Sequence, residues 1–190
     1  QYSYTIFEAE VASTFNEDLL FHHLFKNSAD NKMKAYLLCS RASDILATLY
    51  RQTMFAEYEK RTHELVESGV PLSVDVLRDE YKKLLKAYFG PEMIFEDESD
   101  LEGLRIPHFY NAFYVYKYAT GISAALALSK RVREGSKAER EDYFKFLSSG
   151  GSRYPMESLQ LAGVNMETEE PIVSAVKTFS NIVDELEKIL

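Results

Sequence analysis

The chain has 190 residues, 46% of them hydrophobic, and a formal net charge of −8. That is enough apolar material for one domain with its own core, and an acidic chain without a basic block excludes a nucleic-acid-binding face. A single cysteine, Cys39, excludes an internal disulfide framework and suits a reducing cytoplasm, and no apolar run is long enough to span a bilayer.

Period-two alternation is almost absent, and helical spacing recurs along the whole chain, which predicts an all-α domain of about seven helices. The first runs from about Tyr4 to Lys26 and stops at "NSADN". Asp30 caps the second, "NKMKAYLLCSRASDILATLYRQTMFAEYEKRTHELVES", which is long enough to carry a kink and closes at Gly69 and Pro71. Ser73 caps "VDVLRDEYKKLLKAYF", which ends at Gly90 and Pro91. An acid-rich loop, "PEMIFEDESDLEGLRIP", leads to the fourth helix, "HFYNAFYVYKYATGISAALALSKRVRE". Ser136 caps "KAEREDYFKFLSS", a "GGSRYP" loop precedes the short "PMESLQLAG", and Thr168 opens the last helix, which ends at Leu190. The N-terminus lacks the basic start of a signal peptide, and a chain opening on Gln1 with helix a few residues later reads as a piece of something larger.

The first helix poses the chemical question. Wound at about 100° per residue, it places Ile6, Ser13, Thr14, Phe21 and Leu24 on the side of Glu10, with Glu17 almost directly above it. Val11, Phe15 and Leu19 hold the flank turned away from it, from about 100° to about 180° round the helix. A helix apolar on most sides is normally buried, so a carboxylate on its inward side needs a donor, a cation or a metal. His22 and His23 cannot share a metal with Glu10, because they lie about 18 Å further along the same helix. A di-iron carboxylate bundle needs Glu-x-x-His on two helices, a spacing this sequence lacks.

Other motifs are weaker. "HELVE", residues 63–67, imitates the start of H-E-x-x-H but has Glu67 where the second histidine would stand, and it reads as a solvated helix face. Cys39, amid "YLLCSRA", reads as a packed thiol rather than a nucleophile. In "HFYNAFYVYKYATG", Tyr110, Tyr114 and Tyr118 recur at i, i+4 and i+8 as one helical stripe, with His108 at the helix start and Tyr116 pointing elsewhere. Two readings stand for that stripe. It is either aromatic core or a wet cleft whose phenols and imidazole donate to a carbonyl oxygen gaining charge. "SSGGSRYP" suits an interhelical turn better than a contact for an anion or a peptide backbone.

Four blocks, in order, carry a resemblance. "FEAEVASTFNE", "RQTMFAEYE", "PHFYNAFYVYKYATG" and "GGSRYPMESLQLAGVNM" resemble the oligoendopeptidase F branch of the thimet-oligopeptidase-like zinc metallopeptidases, over nearly the whole chain. In that family two histidines of an H-E-x-x-H helix and a glutamate on a later helix hold zinc. The resemblance implies that Glu10 is the third zinc ligand and that Glu17 steadies a zinc-ligating histidine. It also implies that His108, Tyr110, Tyr114 and Tyr118 bind the substrate backbone and stabilise the oxyanion. The substrates would be short peptides, cleaved at internal bonds in a deep channel between helical halves.

This chain departs from the family in having no H-E-x-x-H. The expectation is therefore that residues 1–190 are the C-terminal helical segment of a zincin-like peptidase domain. Its co-ligands and general base would lie upstream of Gln1, and the segment alone would be inactive and without zinc. Its partners would be peptide substrates and the missing N-terminal part, with neither nucleic acid nor membrane involved, and exposed apolar surface would favour self-association. The alternative is a non-catalytic helical interaction module, with Glu10 and Glu17 paired to Arg41, Arg51 or Lys34.

Overall fold

The computed structural model describes residues 5–190, and every regular element among them is helical. Tyr4, from which the sequence predicts the first helix, lies outside the described residues. The first predicted helix is two: α1 (Ile6–Ala9) and α2 (Val11–Asn27), joined through Glu10. α3 (Asn31–Ile45) starts on Asp30, whose carboxylate accepts from the Lys32 N–H at 3.1 Å. The long second stretch also divides. A π-helical turn, Leu46–Tyr50, separates α3 from α4 (Arg51–Glu67), so the anticipated kink is a wider turn inserted in the helix.

α5 (Val74–Phe89) is capped as the sequence predicts, the Ser73 hydroxyl accepting from the Val76 N–H at 3.3 Å. Gly90 ends it at φ 78°, a conformation that suits glycine because it has no Cβ. α6 (Tyr116–Glu134), α7 (Lys137–Ser149), α8 (Pro155–Leu161) and α9 (Glu170–Ile189) complete the described helices. α7 opens on a reciprocal capping box. The Ser136 N–H donates to Glu139 Oε2 at 2.6 Å, and the Ser136 hydroxyl accepts from the Ala138 N–H at 3.1 Å. α9 starts two residues after Thr168, whose hydroxyl instead donates to the Asn165 carbonyl at 3.0 Å in the preceding turn. Among the described residues no helix is long and apolar enough to cross a membrane.

The chain forms two compact units. One holds the described residues up to Leu49 together with Thr120–Leu190, and the other is Tyr50–Ala119. In the first, Val11 and Phe15 of α2 meet the small residues Ala124 and Ala125 and the bulkier Leu128 of α6. Tyr143 and Phe146 of α7 and Leu159 of α8 close the same core. Phe15 stacks on Tyr143 with ring centroids 3.8 Å apart. Each such fully buried side chain contributes roughly 1.5–3 kcal/mol by leaving water. α3 lies against α2 and α9.

The second unit is built on aromatics: Phe55 and Tyr58 of α4 pack on Tyr81, Leu84 and Leu85 of α5, with Val115 and Met54. The acid-rich loop is not free here. It folds into a 3₁₀ turn, Ser99–Leu104, laid on α5. The Tyr81 hydroxyl donates to Glu102 Oε2 at 2.6 Å, Arg51 pairs with the other oxygen of Glu102, and Arg78 Nε donates to Asp100 Oδ1 at 2.7 Å. The turn seats closely because residue 103 is glycine, and a Cβ there would stand 2.7 Å from Tyr81 Cδ2.

Candidate active site

α2 turns a different face inward from the one its composition suggests. Val11, Phe15 and Asp18 are buried, one or two turns apart, whereas Glu10 and Glu17 are exposed. The expectation of a buried Glu10 is thus corrected. Residue 10 is the junction at which α1 ends and α2 begins, and the core is laid along the Val11–Phe15 flank. Among the described residues neither Glu10 nor Glu17 forms an ion pair, so the proposed pairing to Arg41, Arg51 or Lys34 does not occur.

The acid that this apolar helix does bury is Asp18, 2% exposed, which the sequence reading missed. Its Oδ1 accepts from Arg41 at 2.6 Å, its Oδ2 from the buried Ser129 hydroxyl at 2.6 Å, and His22 and Arg133 approach Oδ2 at 3.4 and 3.9 Å. Burial opposes the charge, but hydrogen bonds from His22 and Ser129 and the charges of Arg41 and His22 outweigh it and hold the pKa down to about 2. Spacing is the signal that would have found it: 11, 15, 18 and 22 follow the i, i+4, i+7, i+11 pattern of one buried stripe. Glu8 of α1 is also buried, which raises its pKa against the pull of the neighbouring Ser158 hydroxyl.

A carboxylate that is exposed and unpaired fits one corner of a metal's coordination shell. Among the described residues no three His, Cys, Asp or Glu side chains converge on a metal-sized point.

The second candidate group lies in the other unit. His108 and Tyr110 sit in a 3₁₀ turn, Pro107–Tyr110, Tyr114 in the bend that follows, and Tyr118 in the first turn of α6. The continuous helix expected from His108 onward is therefore corrected, and with it the i, i+4, i+8 stripe. The break has a visible cause. Phe113 takes a positive φ of 56°, and its N–H donates to Glu59 Oε1 at 2.6 Å rather than to a carbonyl one turn back. That conformation costs a non-glycine residue roughly 1–2 kcal/mol, offset here by a charge-assisted hydrogen bond.

The bend brings three of the four residues together. The His108 and Tyr114 rings stack at 5.6 Å and 24° between planes, and Tyr118 meets both edge-on at 5.9 and 5.6 Å. The Tyr118 hydroxyl lies 3.4 Å from His108 Nε2. Tyr110, 95% exposed, projects into solvent from the preceding turn. His108 is exposed and Tyr114 and Tyr118 are half-buried, so the group borders solvent and is not the closed aromatic core of the other reading. Lys117 sits over the Tyr114 ring at 5.3 Å.

Two minor candidates also resolve. Cys39 is exposed on α3, not packed. "HELVE" is the solvated end of α4, except that the His63 ring rests on Phe113 at 4.8 Å.

The model of peptidase family M3 matches residues 1–178. The chain belongs to peptidase family M3. It is 45% identical over 188 residues to an oligoendopeptidase F homolog of Borreliella burgdorferi, covering 99% of this chain and 32% of that protein. It is 45% identical to oligopeptidase PepF of Bacillus subtilis, covering 99% of this chain and 28% of the relative. The crystal structure of oligoendopeptidase-F from Enterococcus faecium superposes with a TM-score of 0.90 at 39% identity, over 97% of this chain and 36% of that one. This family M3 chain therefore spans about a third of the length of the relatives it matches, and over that span its helical architecture matches that of the Enterococcus faecium structure.

Proposed function

We propose that this chain is the C-terminal part of the catalytic domain of a cytoplasmic, zinc-dependent oligoendopeptidase that cuts internal bonds of short peptides. In that protein it forms much of one wall of the substrate channel. The observation that carries the reading is the gathering of His108, Tyr114 and Tyr118 at a solvent border, in a chain matched over residues 1–178 by a peptidase family.

Each residue has a role its surroundings support. Glu10 offers an exposed, unpaired carboxylate as one zinc ligand. Glu17, two turns along α2, accepts from the free ring N–H of a histidine ligand and so fixes its tautomer. When bound, zinc supplies Lewis acidity toward the scissile carbonyl and the attacking water. The Tyr118 hydroxyl and His108 imidazole orient one another across 3.4 Å, which leaves a donor aimed outward at the oxygen where negative charge develops. Tyr110, projecting from the turn, reaches the substrate backbone as it enters the channel.

The remaining ligands and the general base come from the part of the relatives' length that this chain does not span, and without them the 190 residues neither hold zinc nor hydrolyse peptides. Leu20 and Leu24, 56% and 45% exposed on α2 near Glu17, are where that part would cover the helix. Left uncovered, they promote self-association. A non-catalytic interaction module is less well supported, because Arg41 and Arg51 are already engaged by Asp18 and Glu102.

The test is a graft. Residues 1–190 replacing the matching segment of Bacillus subtilis PepF yield a peptidase active on short peptides, and His108→Ala or Tyr118→Phe lowers kcat by about a hundredfold with little change in KM. A folded, zinc-loaded graft without activity would overturn the proposal.

A further inference from the structure

We infer that Glu59 is the positioning residue of the His/Tyr group: its buried carboxylate holds Phe113 in the left-handed conformation that makes the bend and lays Tyr114 on His108. The consequence for catalysis rests on the reading above, whereas the consequence for the loop does not.

Glu59 is 5% exposed on α4, on the face that also buries Phe55 and Tyr58, and among the described residues no Lys or Arg pairs with it. An ionised group kept in such a place needs strong donors in compensation. The donor is a backbone amide far along the chain: the Phe113 N–H reaches Oε1 at 2.6 Å, the short distance of a charge-assisted bond. Phe113 is the non-glycine residue with positive φ among the described residues, and it is a bulky one that avoids that region unless held there.

A second contact comes from the same helix face. His63, one turn beyond Glu59, lays its ring on the Phe113 ring at 4.8 Å and 36°. α4 thus grips Phe113 at its backbone and at its side chain. Were the Phe113 N–H bonded to the carbonyl of Phe109, as helix geometry requires, residues 108–118 would run on as one helix. His108, Tyr114 and Tyr118 instead belong to a 3₁₀ turn, a bend and the start of α6, and their rings converge because the chain turns between them. Glu59 acts through Phe113.

Glu59→Ala in the 190-residue chain lowers the amide-exchange protection of Phe113 by at least about tenfold and abolishes the mutual ring-current shifts of His108 and Tyr114. Glu59→Gln preserves both, since its carbonyl oxygen still accepts. Phe113→Pro, which removes the N–H and locks φ near −65°, likewise abolishes the His108 and Tyr114 ring-current shifts with Glu59 intact, and it decides the matter even where Glu59→Ala does not fold. In the PepF graft, Glu59→Ala lowers kcat by about ten- to a hundredfold with KM within about threefold, as misplacement of reacting groups does, and Glu59→Gln recovers most of it.

Unchanged Phe113 protection and ring shifts in Glu59→Ala, or unchanged ring shifts in Phe113→Pro, overturn the proposal, as does a lowered melting temperature with unchanged kcat in Glu59→Ala. An inactive native graft overturns the peptidase reading alone, and the exchange measurement then decides the role of Glu59.

Discussion

Asp18 in the first unit and His108 in the second are both polar centres ringed by partners, and they differ in what is left unused. Both oxygens of Asp18 are engaged by Arg41, Ser129 and His22, and the group is almost wholly out of water. His108 is exposed, with one ring nitrogen loosely met by Tyr118 and one face covered by Tyr114. A buried, saturated charge has no capacity to meet a ligand and works as a staple between α2, α3 and α6. An exposed, half-satisfied group keeps donors for something that arrives later. α2 shows the same division on a single helix, Asp18 on one side and the unpaired Glu10 and Glu17 on another.

Breaking the staple has the largest expected effect. Asp18→Asn keeps the shape but leaves the Arg41 guanidinium buried without its counter-charge, which costs about 3–5 kcal/mol in urea unfolding of the chain. A loss under about 1 kcal/mol would mean that Arg41 finds water and the cluster is not closed.

Acid sharpens the same contrast. Asp18 has a folded pKa of about 2 against an ordinary 3.8, so between these values the unfolded chain binds more protons and stability falls as pH falls. The contribution, about 2 kcal/mol, is present in full above pH ~4 and lost progressively down to pH ~2. Asp18→Asn removes this part of the acid dependence, and an unchanged acid profile in that variant would place the titration elsewhere.

In the second unit Tyr81→Phe costs about 1 kcal/mol, since it deletes one hydrogen bond while Glu102 keeps Arg51. A much larger loss would show that the acidic turn hangs on that phenol. Smallest is Glu17→Gln, which changes the melting midpoint by the equivalent of less than about 0.5 kcal/mol, as expected for an exposed group without a partner. A substantial destabilisation would make Glu17 a structural residue like Asp18.

Local chemistry was legible in the sequence. Asp30, Ser73 and Ser136 each cap the predicted helix because a side-chain acceptor meets an amide two or three residues on, an interaction that nothing distant disturbs. The orientation of α2 was not. With Phe, Leu and Val on several sides, the wheel leaves the buried face undetermined, and the core packed along Val11, Phe15 and Asp18. The geometry of the His/Tyr group was likewise hidden, because the helix break at Phe113 is imposed by Glu59, 54 residues earlier. The same tertiary bond that spoils the predicted stripe gathers three of its four members. What marks Glu10 is therefore its place in "FEAEVASTFNE" and its free carboxylate, not burial.

The most direct measurement is the metal content of the PepF graft carrying Glu10→Gln, beside its circular dichroism and its turnover of a short peptide. The account predicts a helical protein with zinc well below one equivalent and turnover all but lost. One full equivalent of zinc with unimpaired turnover would contradict it.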